Sequence, residues 1–501
     1  MITSGLCRLL SRAGIRVAPF KAQNMSLNSF VTPAGGEIGR AQALQAEACG
    51  IPPHVDMNPI LLKPESDSRS QIIVQGKVFA TREARAYFAR GRDSELFQAV
   101  ERSYHRLASQ YEVMVIEGAG SAAEVNLRDR DLVNWPVVEM ADAKVLLVGD
   151  IDRGGVFAQI IGTLDLITPE ERDRVCGIVI NKFRGDAALF ADGVRFLTER
   201  TGIPVLGVLP FLRDLALDQE DSLDVDRQRQ VAFQPDRINI AVVLLPHMSN
   251  FTDFNALADE PDVSLRYVSA PEAAVGADVI VLPGSKTTLA DLAYLRSKGF
   301  EALLRVHVQR GGELVGVCGG YQMLGRQIAD PDAVESGGIG EGFGFLQVTT
   351  VLMREKITEQ VEGRAIHLDG SATVPVRGYF IHMGRTDRHA HRPCFEVQGT
   401  VNSFDGRAEA TERKPVSFDG AVSDDGLVWG TYIHGLFDEP LCRRTWLNRL
   451  RTRKGLPVAD LAASQQVNQQ RVDALDRWAD HVQQHLDLTS IWELLRHGRT
   501  A

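Results

Sequence analysis

Glu313-Leu314-Val315-Gly316-Val317-Cys318-Gly319-Gly320-Tyr321-Gln322-Met323-Leu324 is the stretch on which the reading of this chain turns. Leu314, Val315 and Val317 predict a short buried strand, and Tyr321 to Leu324 can start a helix. Between them one cysteine is bracketed by Gly316, Gly319 and Gly320. Small neighbours let the backbone bend sharply and let a substrate approach, which is the shape of a nucleophile on a strand-to-helix turn. Such a turn aims backbone N–H groups and the positive end of a helix at the sulfur and at an oxyanion formed beside it. The thiolate is the reactive form, so a site that stabilises it gains reactivity. A lone cysteine is more often structural; glycines on both sides, a strand before and a helix after favour the nucleophile.

A candidate base stands far downstream in Gly430-Thr431-Tyr432-Ile433-His434-Gly435-Leu436-Phe437. A short strand ending in His and then Gly can deliver an imidazole to the same sheet edge, and such pairs meet only in the fold.

The chain has 501 residues, which predicts two or three domains. Hydrophobic residues make up 44% and charged residues 24%, an ordinary globular balance. A net charge of −10 argues against a nucleic-acid binder or a general membrane-surface binder, although a local basic pocket can still take an anionic substrate. Six scattered cysteines without a Cys-x-x-Cys pair indicate a reducing compartment, hence a cytoplasmic location. No apolar run reaches the roughly 18–20 residues that span a bilayer. Arg8, Arg12 and Arg16 among apolar residues resemble a transit peptide, but Ile15 to Phe20 follows directly and favours a first helix running into a strand.

In residues 1–230 apolar strands end in chemistry. Val113 to Ile116 leads to Glu117-Gly118-Ala119-Gly120, and Lys144 to Gly149 leads to Asp150-Ile151-Asp152-Arg153-Gly154-Gly155. Gly177 to Ile180 leads to Asn181-Lys182, and Val205 to Leu209 to Pro210. This is the pattern of a helix-covered parallel sheet, which binds ligands beyond the strands' C-terminal ends. Glu117 is a Mg²⁺ carboxylate or a polar strand end. Asp150 and Asp152 are paired acids or turn caps; Gly154-Gly155 can form an anion nest; Asn181-Lys182 reads a base or ends a strand. Polar, acidic Asp214 to Arg237 predicts a linker. A second sheet begins at Ile238 and includes Val279 to Leu282 with the loop Pro283-Gly284-Ser285-Lys286. His382 is a substrate contact or a satisfied structural residue, and His247 after Pro246 reads as structural. His389, His391 and Cys394 lack a fourth ligand and the usual zinc spacing. Trp446, Leu447, Leu450, Ala474, Leu475, Trp478, Leu488, Ile491, Trp492 and Leu495 recur at helical spacing and predict a helical cap over 442–501.

The cysteine turn and the Tyr-Ile-His-Gly-Leu-Phe segment resemble a class I glutamine amidotransferase domain of the type found in cobalamin synthesis. The runs Pro19 to Asn28, Gly39 to Ala46, Asp56 to Pro64, Glu117 to Ser121 and Gly149 to Phe157 extend the resemblance through both domains, to the cobyric acid synthase family. It implies an α/β chain: a dethiobiotin-synthetase-like, P-loop-type parallel-sheet domain (1–230), a flavodoxin-like class I glutamine amidotransferase domain (237–441), and the cap (442–501). By the resemblance Cys318 attacks the glutamine amide and His434 shuttles the proton. Gly319 and the Gly284 loop hold the oxyanion. Lys21 and Asn24 contact phosphate or substrate, Glu117 holds Mg²⁺ with ATP, and Asn181 with Lys182 flanks adenine. Asp150 and Asp152 belong to the ATP and substrate site, and we read Arg153 with the Gly154-Gly155 turn as facing the corrinoid carboxylates or the acyl phosphate. The implied reaction amidates the b, d, e and g carboxylates of adenosylcobyrinic acid a,c-diamide with ATP and L-glutamine. The corrinoid is a substrate, so no tightly bound organic cofactor is expected; a homo-oligomer is compatible.

Three departures stand out. Leu436 occupies the place where ordinary class I domains carry a Glu, so the group orienting His434 is unassigned. Phe380 stands where the family carries Glu. The family's first strand and phosphate loop precede the helix at Thr3 to Arg12, so this sequence is expected to expose an unpaired apolar sheet edge and to bind ATP poorly as written. The competing readings are an a,c-diamide synthase, and a fragment limited to glutaminase or corrinoid binding.

Overall fold

A computed structural model describes residues 1–66, 69–83, 95–212, 215, 217, 231–367, 374–404, 409–460 and 462–497. The acidic run Asp218 to Arg229, read as linker, lies outside the described residues. The N-terminal residues form the helix Ile2–Arg12 and then strand β1 (Val17–Phe20). Cys7, Leu9 and Leu10 face the core, so this amphipathic segment is part of the fold.

The first domain holds two short parallel sheets. β1 pairs with β8 (Val113–Ile116), and β9 (Val145–Asp150), β10 (Val175–Phe183) and β11 (Val205–Pro210) lie in the order β11-β10-β9. β8 and β9 do not pair, and a cavity of about 920 Å³ separates them. Its walls include Val115, Leu147 and Leu10; its mouth carries Glu117, Asp150 and Arg153, which stand beyond the strand ends. Between β1 and β8 in sequence, the chain folds a further layer. The hairpin β3 (Ser29–Val31) and β4 (Glu37–Gly39) leads into the helix Arg40–Cys49. β2 (Gln23–Met25), β5 (Ile60–Ser66), β6 (Arg69–Val74) and β7 (Lys77–Glu83) form a four-stranded sheet in that order, antiparallel except for β2 with β5.

The second domain is built on a six-stranded sheet. β12 (Ile238–Val243), β14 (Val263–Val268), β15 (Val279–Leu282), β17 (Glu313–Val317) and β25 (Val428–Thr431) are parallel; β24 (Ala421–Val422) closes one edge antiparallel. The order is β14-β12-β15-β17-β25-β24, so β17 sits inside the sheet, and all of its residues are buried. A two-residue pair, β13 (Met248–Ser249) with β16 (Gly284–Ser285), ties two loops together at the strand ends. A second sheet contains β18 (Gln327–Asp330), β19 (Gly338–Glu341) and the long β20 (Thr349–Ala365), β21 (Pro375–Asp387), β22 (Phe395–Phe404) and β23 (Glu409–Asp419). Its long strands pair antiparallel, and β20 exposes part of its length to solvent. Their polar alternation hides them from a search for continuous apolar runs.

The C-terminal helices split between the domains. In the helix Pro440–Lys454, Trp446, Leu447 and Leu450 join the second domain's core. Its anchor is Glu313: the buried carboxylate accepts from Trp429 Nε1 at 2.7 Å and Trp446 Nε1 at 2.8 Å, and pairs with Arg449 and Arg453. The helix Ala462–His485 instead returns to the first domain, where Ala474, Leu475, Trp478 and Val482 pack with Cys7, Leu9 and Leu10. Among the described residues no helix is long and apolar enough to cross a membrane.

Candidate active site

β17 delivers Cys318 to a turn with φ 51° and ψ −109°, a conformation that L residues rarely adopt, immediately before the helix Gly319–Leu324. Strain at a nucleophile lifts the side chain out of the regular strand path. The flanking glycines are sterically required. A Cβ on Gly320 would sit 2.0 Å from the Leu282 carbonyl oxygen, and one on Gly316 would sit 2.7 Å from the Gly320 backbone. Gly320→Ala therefore forces backbone apart and should destabilise the protein by about 1–3 kcal/mol or more. Gly162→Ala, in a helix with nothing within 4 Å, is the control and should leave the thermal midpoint unchanged or raised.

β25 runs beside β17 and carries the chain to His434. The imidazole is 1% exposed. His434 Nδ1 is 2.7 Å from Asp253 Oδ2, and Asp253 Oδ1 accepts from Gly435 N at 2.9 Å. Asp253 is the orienting acid that the sequence left unassigned, and it arrives from the short 3₁₀ turn Phe251–Phe254, 181 positions earlier. His434 Nε2 has no hydrogen-bond partner of regular geometry among the described residues. Burial by itself lowers the imidazole pKa, but Asp253 and Cys318 outweigh it and raise the value to about 10. Tyr379 stacks on the ring at 5.7 Å between centroids and exchanges backbone hydrogen bonds of 3.0 Å with His434.

The two expected oxyanion glycines lie together. A Cβ on Gly319 would be 2.9 Å from Ser285 N, and one on Gly284 would be 3.3 Å from His434 Cε1. Asp291 holds this loop, accepting from Ser285 Oγ at 2.6 Å and lying 2.9 Å from His247 Nδ1, which gives His247 a structural role. Thr288, packed on Gly319, joins Gln322 at 3.1 Å to the carboxyl of Glu335 at 3.3 Å. Burial pushes Glu335 up to about 7, with Lys286 and Thr288 opposing. His382 is a satisfied structural histidine: its Nδ1–H donates to the Gly384 carbonyl at 2.8 Å, its ring stacks on Tyr432 at 3.8 Å, and burial drives it down to about 3. Phe380 packs edge-on against it. His391 accepts from Gln347 N at 2.7 Å, and Cys394 is buried against the Gly430 carbonyl, so these residues are tied to backbone.

The first domain assembles its own polar group at the mouth of the cavity. Lys21 Nζ lies 2.8 Å from Glu117 Oε1, and Gln45 Nε2 donates to Glu117 Oε2 at 2.6 Å. Burial raises the Glu117 pKa, yet Lys21 and Gln45 hold it below the usual carboxylate range. Asn24 donates to Gln42 at 3.0 Å within the same layer. Asp150 pairs with Lys182 at 2.8 Å, Asp152 pairs with Arg184, and Asn181 lies in register beside Asp150. Arg153, Gly154 and Gly155 form an exposed turn with positive φ at both glycines. Among the described residues no cluster of three or more His, Cys, Asp or Glu could hold a metal alone. One carboxylate at a strand end is the donor set Mg²⁺ takes when phosphate and water oxygens complete its shell. The chain thus places two polar centres on two domains: Cys318 with His434, and Glu117 with Lys21 and Asp150.

Comparison with known proteins follows the same division. A family model described as the CobQ/CobB/MinD/ParA nucleotide binding domain matches residues 1–225, and one described as the CobB/CobQ-like glutamine amidotransferase domain matches residues 239–441. The cobyric acid synthase of Syntrophobacter fumaroxidans is 45% identical over 506 residues, covering 99% of this chain and 96% of that protein. That of Sorangium cellulosum is 47% identical over 504 residues, covering 97% and 94%. That of Citrobacter koseri is 46% identical over 508 residues, covering 100% and 96%. The chain belongs to the cobyric acid synthase family, the glutamine-dependent amide ligases of cobalamin biosynthesis.

Proposed function

We propose that the chain amidates the b, d, e and g carboxylates of adenosylcobyrinic acid a,c-diamide, with ATP as activator and L-glutamine as nitrogen donor, in the cytoplasm. The observation that carries this reading is the strained Cys318 turn set against a buried His434–Asp253 pair. The Cys318 thiolate attacks the side-chain carbonyl carbon of glutamine, and the oxyanion lies against the N–H groups around Gly319 and Gly284. His434, cationic beside Asp253, gives its proton to the departing nitrogen, so ammonia leaves neutral and a thioester remains. Water, deprotonated by the now neutral His434, cleaves the thioester and releases glutamate.

In the first domain a corrinoid carboxylate oxygen takes the γ-phosphoryl group of ATP, giving an acyl phosphate and ADP. Ammonia attacks the acyl carbon and phosphate leaves, so the carboxylate ends as a carboxamide. A carboxylate is a poor acyl donor until its oxygen becomes a leaving group, and enclosure between domains keeps ammonia from water and protons. Glu117 is the residue to hold Mg²⁺, which would neutralise phosphate charge when bound with the nucleotide. Lys21 and the Arg153-Gly154-Gly155 turn face the anionic groups, with Asn181 and Lys182 at the base. Glu117→Gln should lower ammonia-supported amidation on the order of 10²-fold while glutamine hydrolysis persists. Equal amidation by variant and parent, followed by mass spectrometry of the corrinoid, would remove Glu117 from this role.

A further inference from the structure

Lys63 and Glu65 stand two residues apart on β5, so they share one face of its sheet, and both are buried. Each takes part in a charge cluster that reaches the second domain. Lys63 pairs at 2.8 Å with Glu37, which also pairs with Lys356 of β20. Glu65 Oε1 lies 2.8 Å from Lys286 Nζ, and the two side chains are only 5% and 9% exposed. Arg69 approaches the other Glu65 oxygen at 3.4 Å from a more exposed position. Lys286 directly follows Gly284 and Ser285, the loop set against the cysteine turn. An acid of the first domain is thus fastened to the next residue of that loop.

The loop's other ties come from within the second domain. Lys286 N donates to the His247 carbonyl at 2.9 Å. Ser285 Oγ donates to Asp291 Oδ2 at 2.6 Å and accepts from Thr287 N at 3.1 Å. None of these bonds directs the Lys286 ammonium. That charge also lies near enough to Glu335 to oppose the rise in its pKa, and Glu335 accepts at 2.6 Å from Thr288 N, the first N–H of the helix Thr288–Ser297. The ammonium therefore stands between two carboxylates, one on each domain. Glu65 holds it at the domain boundary; without Glu65 its attraction goes to Glu335 and shifts the segment that carries Ser285 N.

A buried ion pair contributes little net stability, because desolvating both charges offsets their attraction, and apolar side chains would hold two domains together as well. What the pair adds is direction. The structure assigns Glu65 a positioning role in glutamine hydrolysis: through Lys286 it fixes the N–H groups of Gly284 and Ser285 where the tetrahedral oxyanion forms. Such donors lower the barrier only if they are in place before the charge develops. This inference rests on the reading above that the Gly284 loop holds the oxyanion.

In the full chain, Glu65→Gln should lower kcat for glutamate release from glutamine roughly tenfold, with KM for glutamine within about twofold of the parent. Amidation of the diamide acceptor from MgATP and ammonium chloride should keep the parental rate. Lys286→Met should lose a similar factor, and adding it to Glu65→Gln should cost little more, because both substitutions remove one contact. The doubly apolar Glu65→Met/Lys286→Met protein leaves neither member of the pair buried without its partner, so it serves where a single variant does not fold. It should show the same fall in kcat at a parental thermal midpoint. Parental kcat in folded Glu65→Gln or in the doubly apolar protein overturns the proposal. So does an equal fall of glutamate release and ammonia-supported amidation, which marks a pair that only holds the domains together. A parent that releases no glutamate from glutamine refutes the oxyanion reading itself, before any variant is compared.

Discussion

Cys318→Ala is expected to abolish amidation from glutamine and to leave amidation from added ammonium salt standing. The first loss should be on the order of 10⁴-fold or more, because removing the nucleophile removes the covalent step and no neighbouring group replaces it. The second activity survives because the polar centre at Glu117, Lys21 and Asp150 belongs to another domain and shares no side chain with the cysteine turn. The substitution is sterically mild: Cys318 is buried, alanine is smaller, and the turn's glycines keep their contacts. Glutamate release and corrinoid mass, followed in parallel, separate the two activities. Loss of both would assign the cysteine to folding or to the synthetase half.

Asp253→Asn should lower glutamine hydrolysis by about 10²–10⁴-fold, the usual range for a general acid–base catalyst deprived of its working state. Asp253 is the strongest influence raising His434 to about 10, against burial, which lowers it. Removing the negative charge makes the proton on the imidazole less favourable, so the His434 pKa falls. The parent should therefore keep its imidazolium up to about pH 10, and the alkaline limb of kcat/KM should move toward lower pH in the variant. The same shift bears on stability. A folded-state pKa raised above the ordinary histidine value of about 6.5 contributes stability that is complete below that value and is lost as pH rises through the folded pKa. The variant should show less of that loss between neutral pH and pH 10 than the parent. A pH–rate profile and thermal midpoints across that window check both. An alkaline limb that stays where the parent has it would exclude Asp253 as the group that holds His434.

The strand-to-helix turn at Cys318 was legible because its signal is local. A strand, three glycines, one cysteine and a helix start occupy adjacent positions, and the structure explains each glycine by a contact that a Cβ would violate. The placing of His434 was legible for a similar reason: it stands three residues past the short strand Val428–Thr431, just before Gly435. Asp253 was not, since it lies in Asn250-Phe251-Thr252-Asp253-Phe254, a segment without periodicity, and only sheet order brings it to the imidazole. The one available hint was negative: Leu436 in place of an acid meant that the orienting group had to come from elsewhere. The parallel strands showed as β-branched apolar runs, whereas β20 to β23 carry alternating charged residues and their antiparallel sheet went unread. His382 was ambiguous in sequence because a buried imidazole satisfied by the Gly384 carbonyl and an imidazole facing a ligand are spelled alike.

The central claim is that nitrogen freed at Cys318 from glutamine is installed on a corrinoid acid by the ATP-using half of the same chain. Incubation with MgATP, the a,c-diamide acceptor and glutamine labelled with ¹⁵N at the side-chain amide tests it directly, read by mass spectrometry of the corrinoid. The account predicts stepwise replacement of OH by NH₂, with the label in every new amide. A corrinoid of unchanged mass, or new amides without label, would contradict it.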